Sequence, residues 1–166
     1  MDDITALILD DHAAFRRAFA RLDDAAGVDE QRAVWGPLAL HLEIHAEAEE
    51  RILYPHLVKR GGDDAQEETE DAIRDHNKIR DAINESRNHD IGSQSWWSAV
   101  WRARRENTEH LGEEEDEALP DFRRHATTQL RADLGMQWLV FYAEHPSGQG
   151  LKFRDKDPEK FIEEHQ

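Results

Sequence analysis

The two halves of this 166-residue chain repeat one another. The segment LDDHAAFRRAF around His12 resembles IRDHNKIRDAI around His76, and HAEAEERILYP, which begins at His45, resembles HLGEEEDEALP, which begins at His110. Such repetition constrains the fold because each repeat is one supersecondary unit. Each half is predicted to be a helix carrying Asp-His followed by a helix carrying His-x-x-x-Glu-Glu, with a proline closing the motif.

Apolar residues recur at helical spacing along most of the chain, as in Ile4, Ile8, Phe15 and Phe19, and no run alternates as a strand would. The fold class is therefore predicted to be all-α. Breaks at glycine-rich stretches separate the predicted helices, which lie near residues 3–25, 29–60, 65–88, 95–124 and 127–145. Short loops between long helices favour an up-down-up-down four-helix bundle with an additional C-terminal helix. Asp64 and Ser95 are the expected N-caps of the third and fourth helices.

The chain length suits a single domain. Residues 1–146 are expected to form the bundle and its extra helix. Residues 147–166 are expected to form a charged tail that packs on the bundle, with Phe153 and Phe161 as possible anchors.

Charge and composition exclude several classes of function. The chain has 37 acidic and 21 basic residues, and its net charge of −16 repels nucleic acid and anionic lipid. It has no cysteine, so any bound metal must rely on nitrogen and oxygen ligands. No segment approaches the ~20 apolar residues of a membrane span, and no basic leader precedes the first helix. A cytoplasmic protein with no membrane association is expected.

The repeated histidines and glutamates indicate a metal site. Residues four apart share a helix face, so His45 projects with Glu49 and His110 with Glu114. His12 and His76 lie on the apolar faces of their helices, so all four histidines should point toward the bundle axis. An unpaired carboxylate there would be costly. Four imidazoles and two carboxylates are too many donors for one tetrahedral zinc but suit two iron ions with the carboxylates bridging them.

A single inward-facing histidine is more often a hydrogen-bonded core residue than a ligand. The matched repetition of histidine and downstream carboxylate is what favours metal binding here. Four further residues are possible ligands or hydrogen-bond partners of ligands: His41, Glu50, Tyr54 and Glu115. On an ideal helix Tyr54 turns away from His45, although distortion at Pro55 could bring its phenol inward. Arg80 is expected to extend outward to solvent.

The segments DDH, HAEAEERILYP, RDH and HLGEEEDEALP together resemble hemerythrin-like domains of the HHE cation-binding family, over roughly residues 3–125. The resemblance implies a four-helix bundle around a non-haem di-iron centre with an oxo or hydroxo bridge. The implied metal ligands are His12, His45, Glu49, His76, His110 and Glu114.

The chain departs from the oxygen-carrying members at one helix. Those proteins place a second histidine one turn along the third helix, whereas here Ala72 and Arg80 flank His76 at that spacing. A missing protein ligand leaves a metal position open, which favours chemistry at the iron over simple oxygen carriage.

The sequence therefore predicts a di-iron protein, monomeric or weakly dimeric, that binds oxygen or a related small oxidant such as peroxide or nitric oxide for sensing, scavenging or storage. The alternative is a di-iron oxidoreductase with catalase- or peroxidase-type activity on peroxide or oxygen. A further alternative is iron storage or a metal-stabilised interaction module.

Overall fold

The structure is a computed structural model that describes residues 2–166, and these residues contain helices but no strand. The all-α prediction is therefore confirmed. Eight α-helices and two π-helical turns follow one another as α1 (Ile4–Asp23), α2 (Gly27–Ala48), the first π-turn (Glu49–Leu53), α3 (Tyr54–Arg60), α4 (Ala65–Ser86), α5 (Gln94–Glu113), the second π-turn (Glu114–Ala118), α6 (Leu119–His125), α7 (Thr128–Glu144) and α8 (Pro158–His165).

Four rods form the bundle: α1, α2 continuing into α3, α4, and α5 continuing into α6. The closest pairs are α4 with α5 and α1 with α2. Two apolar clusters fill the interior, one around Ile8, Ile73 and Phe122 and the other around Phe15 and Trp96. Along its helix, each repeated histidine is preceded by residues of one cluster and followed by residues of the other, as His12 is by Ile8 and Phe15. A polar layer therefore separates the two apolar clusters.

Both long rods contain a π-helical turn, which the sequence prediction treated as regular helix. Each turn begins at the glutamate of its His-x-x-x-Glu motif, Glu49 or Glu114, and runs up to the helical turn that contains Pro55 or Pro120. Proline has no N–H to bond the carbonyl one α-turn earlier, so it favours a change of register. A π-turn holds one extra residue and rotates everything beyond it around the helix axis.

The predicted helix starts need two corrections. Ser93, rather than Ser95, caps α5 by accepting a hydrogen bond from the Trp96 N–H at 3.2 Å. The side chain of Asp64 makes no capping hydrogen bond at the start of α4, because its own backbone is already helical.

Two elements pack on the outside of the bundle. Helix α7 lies against α1 so closely that a Cβ at Gly135 would sit 1.9 Å from the Asp2 carbonyl oxygen, which only glycine permits. The tail ends in α8, a helix that the sequence prediction missed, and its Phe161 and Ile162 are buried against the core. Among the described residues, no helix is long and apolar enough to cross a bilayer.

Candidate metal centre

Six buried side chains meet in the polar layer. The four histidines come from four different rods: His12 from α1, His45 from α2, His76 from α4 and His110 from α5, and each is at most 3% exposed. The two carboxylates, Glu49 and Glu114, are equally buried at the starts of the π-turns. The structure thus brings together all six residues that the sequence analysis selected.

The Nε2 atoms face the carboxylates in two matching halves. In the first half, His45 Nε2 lies 2.9 Å from Glu49 Oε1, and His12 Nε2 lies 3.1 Å from Glu114 Oε1. In the second half, His76 Nε2 lies 3.0 Å from Glu49 Oε2, and His110 Nε2 lies 3.5 Å from Glu114 Oε2. Each carboxylate therefore presents one oxygen to each half, as a bridge between two ions would.

The chemistry of this donor set fits metal ions. The first half, with His12, His45, Glu49 and Glu114, and the second, with Glu49, His76 and His110, each offer ligand atoms within 4.8 Å of one another. His45 Nε2 and Glu49 Oε1 are fully buried, and neither makes a well-directed hydrogen bond to any described residue. Buried polar atoms without partners are costly, and a coordinated cation would satisfy both.

The opposite ring nitrogen of every histidine faces a second carboxylate. His45 Nδ1 is 2.8 Å from Asp11, and His76 Nδ1 is 2.9 Å from Glu50. The other two pairs are longer: His12 Nδ1 is 3.5 Å from Glu115, and His110 Nδ1 is 3.5 Å from Asp75. Such partners fix the orientation of each ring, with Nε2 directed at Glu49 or Glu114.

Two of these carboxylates were missed by the sequence analysis, and a signal for them existed. Asp11 and Asp75 each precede a repeated histidine, so the Asp-His pair recurs in both halves. The aspartate serves a histidine on another helix rather than its chain neighbour: Asp11 contacts His45, and Asp75 contacts His110. The pattern was visible in the sequence, but the partner depends on how the rods pack.

The electrostatics of the site favour ion pairs among its own side chains. Burial alone would lower the pKa of His45, but the charge of Glu49, the hydrogen bond to Asp11 and the close contact with Glu49 raise it to about 10. Burial opposes ionisation of Glu49 as well, yet the charge of His45 and contacts with His110 and His76 hold the pKa of that carboxyl well below its usual range. Binding a cation here therefore requires imidazole protons to leave.

Tyr54 lies inside the second half of the site. Its hydroxyl oxygen lies 2.6 Å from Glu114 Oε2, 2.9 Å from Glu49 Oε2 and 3.4 Å from His76 Nε2, so the two carboxylates compete for its single proton. The π-turn before it supplies the rotation that an ideal helix lacks, so the phenol points inward, as the alternative of a helix distorted near Pro55 allowed. Its counterpart in the second repeat is Leu119, which is buried in the apolar core.

Glu50 and Arg80 form a buried ion pair beside this half. Arg80 is 1% exposed and donates from Nη2 to both oxygens of Glu50, each at 2.7 Å. The expectation that Arg80 extends to solvent was therefore wrong, because Glu50 turns inward against His76 and needs a cation. Lys156 from the tail also contacts Glu50, at 2.5 Å.

The remaining predicted residues lie at the edge of the site. His41 is outside both ligand groups, with its Nε2 3.3 Å from Asp11 Oδ1. Asp11 also accepts a hydrogen bond of 2.8 Å from the Tyr142 hydroxyl, a contact from α7 that the sequence did not reveal. Glu115 is partly exposed and pairs with Arg16.

Comparison with known families agrees with this geometry. The sequence model of the hemerythrin HHE cation-binding domain family matches residues 3–122. The chain belongs to the hemerythrin HHE cation-binding family. The match covers the four rods up to the middle of α6 and includes all six converging side chains, and it ends before α7 and the tail. No curated protein and no solved structure gives a significant match.

Proposed function

We propose that this HHE-family protein holds two iron ions and binds a small oxidant, such as oxygen, peroxide or nitric oxide, for sensing, scavenging or storage. The observation that carries the proposal is the symmetric arrangement of four Nε2 atoms about two carboxylates, each with one oxygen toward each half. Imidazole and carboxylate ligands without thiolate suit iron. Bound iron would supply redox chemistry that no side chain here provides.

The surroundings of the site support a small, uncharged ligand. A narrow pocket between α4 and the second π-turn reaches His110 and Glu114 from the surface. Its rim carries acidic side chains, namely Glu68, Asp71, Glu113 and Glu117. Their negative charge disfavours anions, while diatomic molecules and peroxide can approach without electrostatic cost.

We also propose that Tyr54 is a ligand of the ion held by His76 and His110. Its hydroxyl oxygen is 2.6 to 3.4 Å from three donor atoms of that half, the spacing expected between ligands that share one ion. Burial and the charges of Glu114 and Glu49 raise the pKa of Tyr54 well above its ordinary value, so the phenol is protonated until a cation binds. The phenol would take the position that lacks a histidine on the third helix.

The test is to load the purified protein with ferrous iron, oxidise it and record its absorption spectrum. A phenolate ligand to ferric iron gives a visible charge-transfer band. Tyr54→Phe should lose that band, and Tyr142→Phe, which changes the only other tyrosine, should keep it. If the unsubstituted protein binds no iron and shows no oxo-bridge absorption after loading, the di-iron proposal is wrong. A visible band that survives Tyr54→Phe would defeat the tyrosine assignment alone.

The second candidate is a di-iron oxidoreductase that consumes peroxide. The ligand set near His76 favours it, because Arg80 occupies the helical position of the oxygen carriers' second histidine and pairs with Glu50, which leaves that half with fewer imidazoles than an oxygen carrier even with Tyr54 bound. Peroxide turnover separates the two functions. Many equivalents of oxygen released with the centre intact would establish the enzyme, whereas a reversible, stoichiometric spectral change would establish the binder.

A further inference from the structure

The C-terminal tail brings a positive charge to the metal centre. After α7 the chain continues through turns and an irregular stretch over residues 151–157 and ends in α8, which packs on α4 and α3. We call residues 151–166 the C-terminal strap. Phe161 and Ile162 anchor it in the apolar core, and Asp157 caps α8 by accepting a hydrogen bond from the Lys160 N–H. The strap lies outside the family match.

Lys156 is the point at which the strap reaches the site. Its Nζ contacts Glu50 Oε2 at 2.5 Å and Glu47 Oε2 at 2.6 Å, and both carboxylates are almost fully buried. Its backbone is fixed by Asn77 on both sides: the Lys156 N–H donates to Asn77 Oδ1 at 3.0 Å, and Asn77 Nδ2 donates to the Lys156 carbonyl at 2.7 Å. Asn77 directly follows His76, so the strap is tied to the helix at the histidine itself.

Glu50 connects this lysine to the second half of the centre. It accepts from Lys156 and Arg80 on one side and faces His76 Nδ1 at 2.9 Å on the other. Outer partners of this kind orient a histidine ligand and tune the metal it binds. Two cations beside Glu50 offset its negative charge, and positive charge near a metal favours its reduced state.

The other half of the centre has no equivalent. There, Glu115 occupies the position that Glu50 has in the first repeat, and it faces His12 Nδ1 at the longer distance of 3.5 Å. Its cation is Arg16, whose side chain is 53% exposed and therefore screened by water. The repeat matches the carboxylates of the two halves, but only the half with His76 has two cations on its outer carboxylate, the buried Arg80 and the partly buried Lys156.

We propose that Lys156, delivered by the C-terminal strap, is a positioning residue that holds Glu50 against His76 and raises the reduction potential of the ion bound by His76 and His110. This inference rests on the proposed di-iron site. It predicts that the two ions have unequal potentials, so that the first electron enters the half containing His76.

The test compares reduction potentials of the iron-loaded protein by spectroelectrochemistry, with iron content measured for each variant. Lys156→Met should retain two irons per chain and shift the first reduction step to lower potential. Lys156→Arg, which restores the charge, should recover most of that shift. Lys160→Met is the matched control, since Lys160 is 71% exposed and pairs only loosely with Glu164 at 3.8 Å.

A second variant guards against poor folding of the first. Asn77→Ala removes both backbone links to the strap while leaving the lysine charge in the chain, and it should shift the potential in the same direction by less. Unchanged potentials in Lys156→Met and Asn77→Ala with two irons bound, or an equal shift in Lys160→Met, would overturn the inference. An unchanged parent protein that binds no iron would instead overturn the proposed function.

Discussion

Replacing Arg80 with methionine tests how the outer layer of the centre is held together. The guanidinium is 1% exposed, and both oxygens of Glu50 accept from its Nη2 at 2.7 Å. Methionine fills much of the same volume but leaves Glu50 without its main cation. Arg80→Met therefore removes one partner of a buried ion pair while leaving the other in place.

The expected cost follows from what remains around Glu50. Removing one partner of a buried ion pair destabilises a protein by about 3 to 5 kcal/mol. Lys156 at 2.5 Å and His76 at 2.9 Å still contact the carboxylate, so the loss should fall at the lower end, about 3 kcal/mol. At an m-value of about 2 kcal/mol per M, this lowers the urea midpoint by roughly 1.5 M. Arg80→Lys keeps the charge but not the guanidinium geometry and should lose less.

The assay is urea denaturation of the metal-free protein followed by circular dichroism. Arg74→Met is the matched control: it makes the same substitution on the same helix, but Arg74 is 46% exposed and pairs with Glu70 and Asp71 at the surface. Its cost should stay within about 0.5 kcal/mol. A loss below 1 kcal/mol for Arg80→Met, or equal losses for the two variants, would refute the buried ion pair.

Three other changes probe the site and its rim. Glu114→Ala should reduce iron content and abolish oxo-bridge absorption, because it removes one of the two bridging carboxylates. Asp116→Ala, which changes an exposed side chain two residues away, should leave both quantities unchanged. The reverse result would refute the choice of Glu114 as the inward-facing residue. Asp11→Asn removes the negative charge that faces His45 Nδ1 at 2.8 Å. Iron affinity, measured by competition with a chelator, should fall by roughly 10- to 100-fold. An unaltered affinity would show that Asp11 does not support His45 as a ligand. Burial and the charge of Asp121 raise the pKa of Glu68 to about 7, above the ordinary 4.5. The protonated side chain therefore adds to the free energy of unfolding below pH 4.5, and this contribution is lost as the pH rises through 7. Glu68→Gln should flatten that fall in thermal unfolding scans between pH 4.5 and 8, and an identical pH profile would contradict the assignment.

The sequence allowed the fold and the six inward side chains to be predicted because both follow from short-range periodicity. Positions four apart share a helix face whatever the helix packs against, so His45 with Glu49 could be inferred without coordinates. The internal repeat supplied the rest, since His110 and Glu114 recur in the same pattern even though Glu114 lies inside a run of five acidic residues. The structure places the other acids of that run at or near the surface.

Tyr54, Arg80 and Lys156 could not be placed from the sequence, each for a different reason. Tyr54 depends on a π-turn, and an ideal helical wheel assigns it to the wrong face. Arg80 turns inward because Glu50, on another rod, is already buried there. Lys156 approaches from the strap, more than 100 residues from Glu50 along the chain, and no local pattern marks that contact.

Titration of the metal-free protein with ferrous iron, followed by metal analysis after removal of unbound ions, tests the central claim most directly. Two halves that share Glu49 and Glu114 predict saturation at two irons per chain, falling to one or none in Glu114→Ala. Saturation at a single iron in the unchanged protein, or iron content unaffected by Glu114→Ala, would contradict a dinuclear centre bridged by these carboxylates.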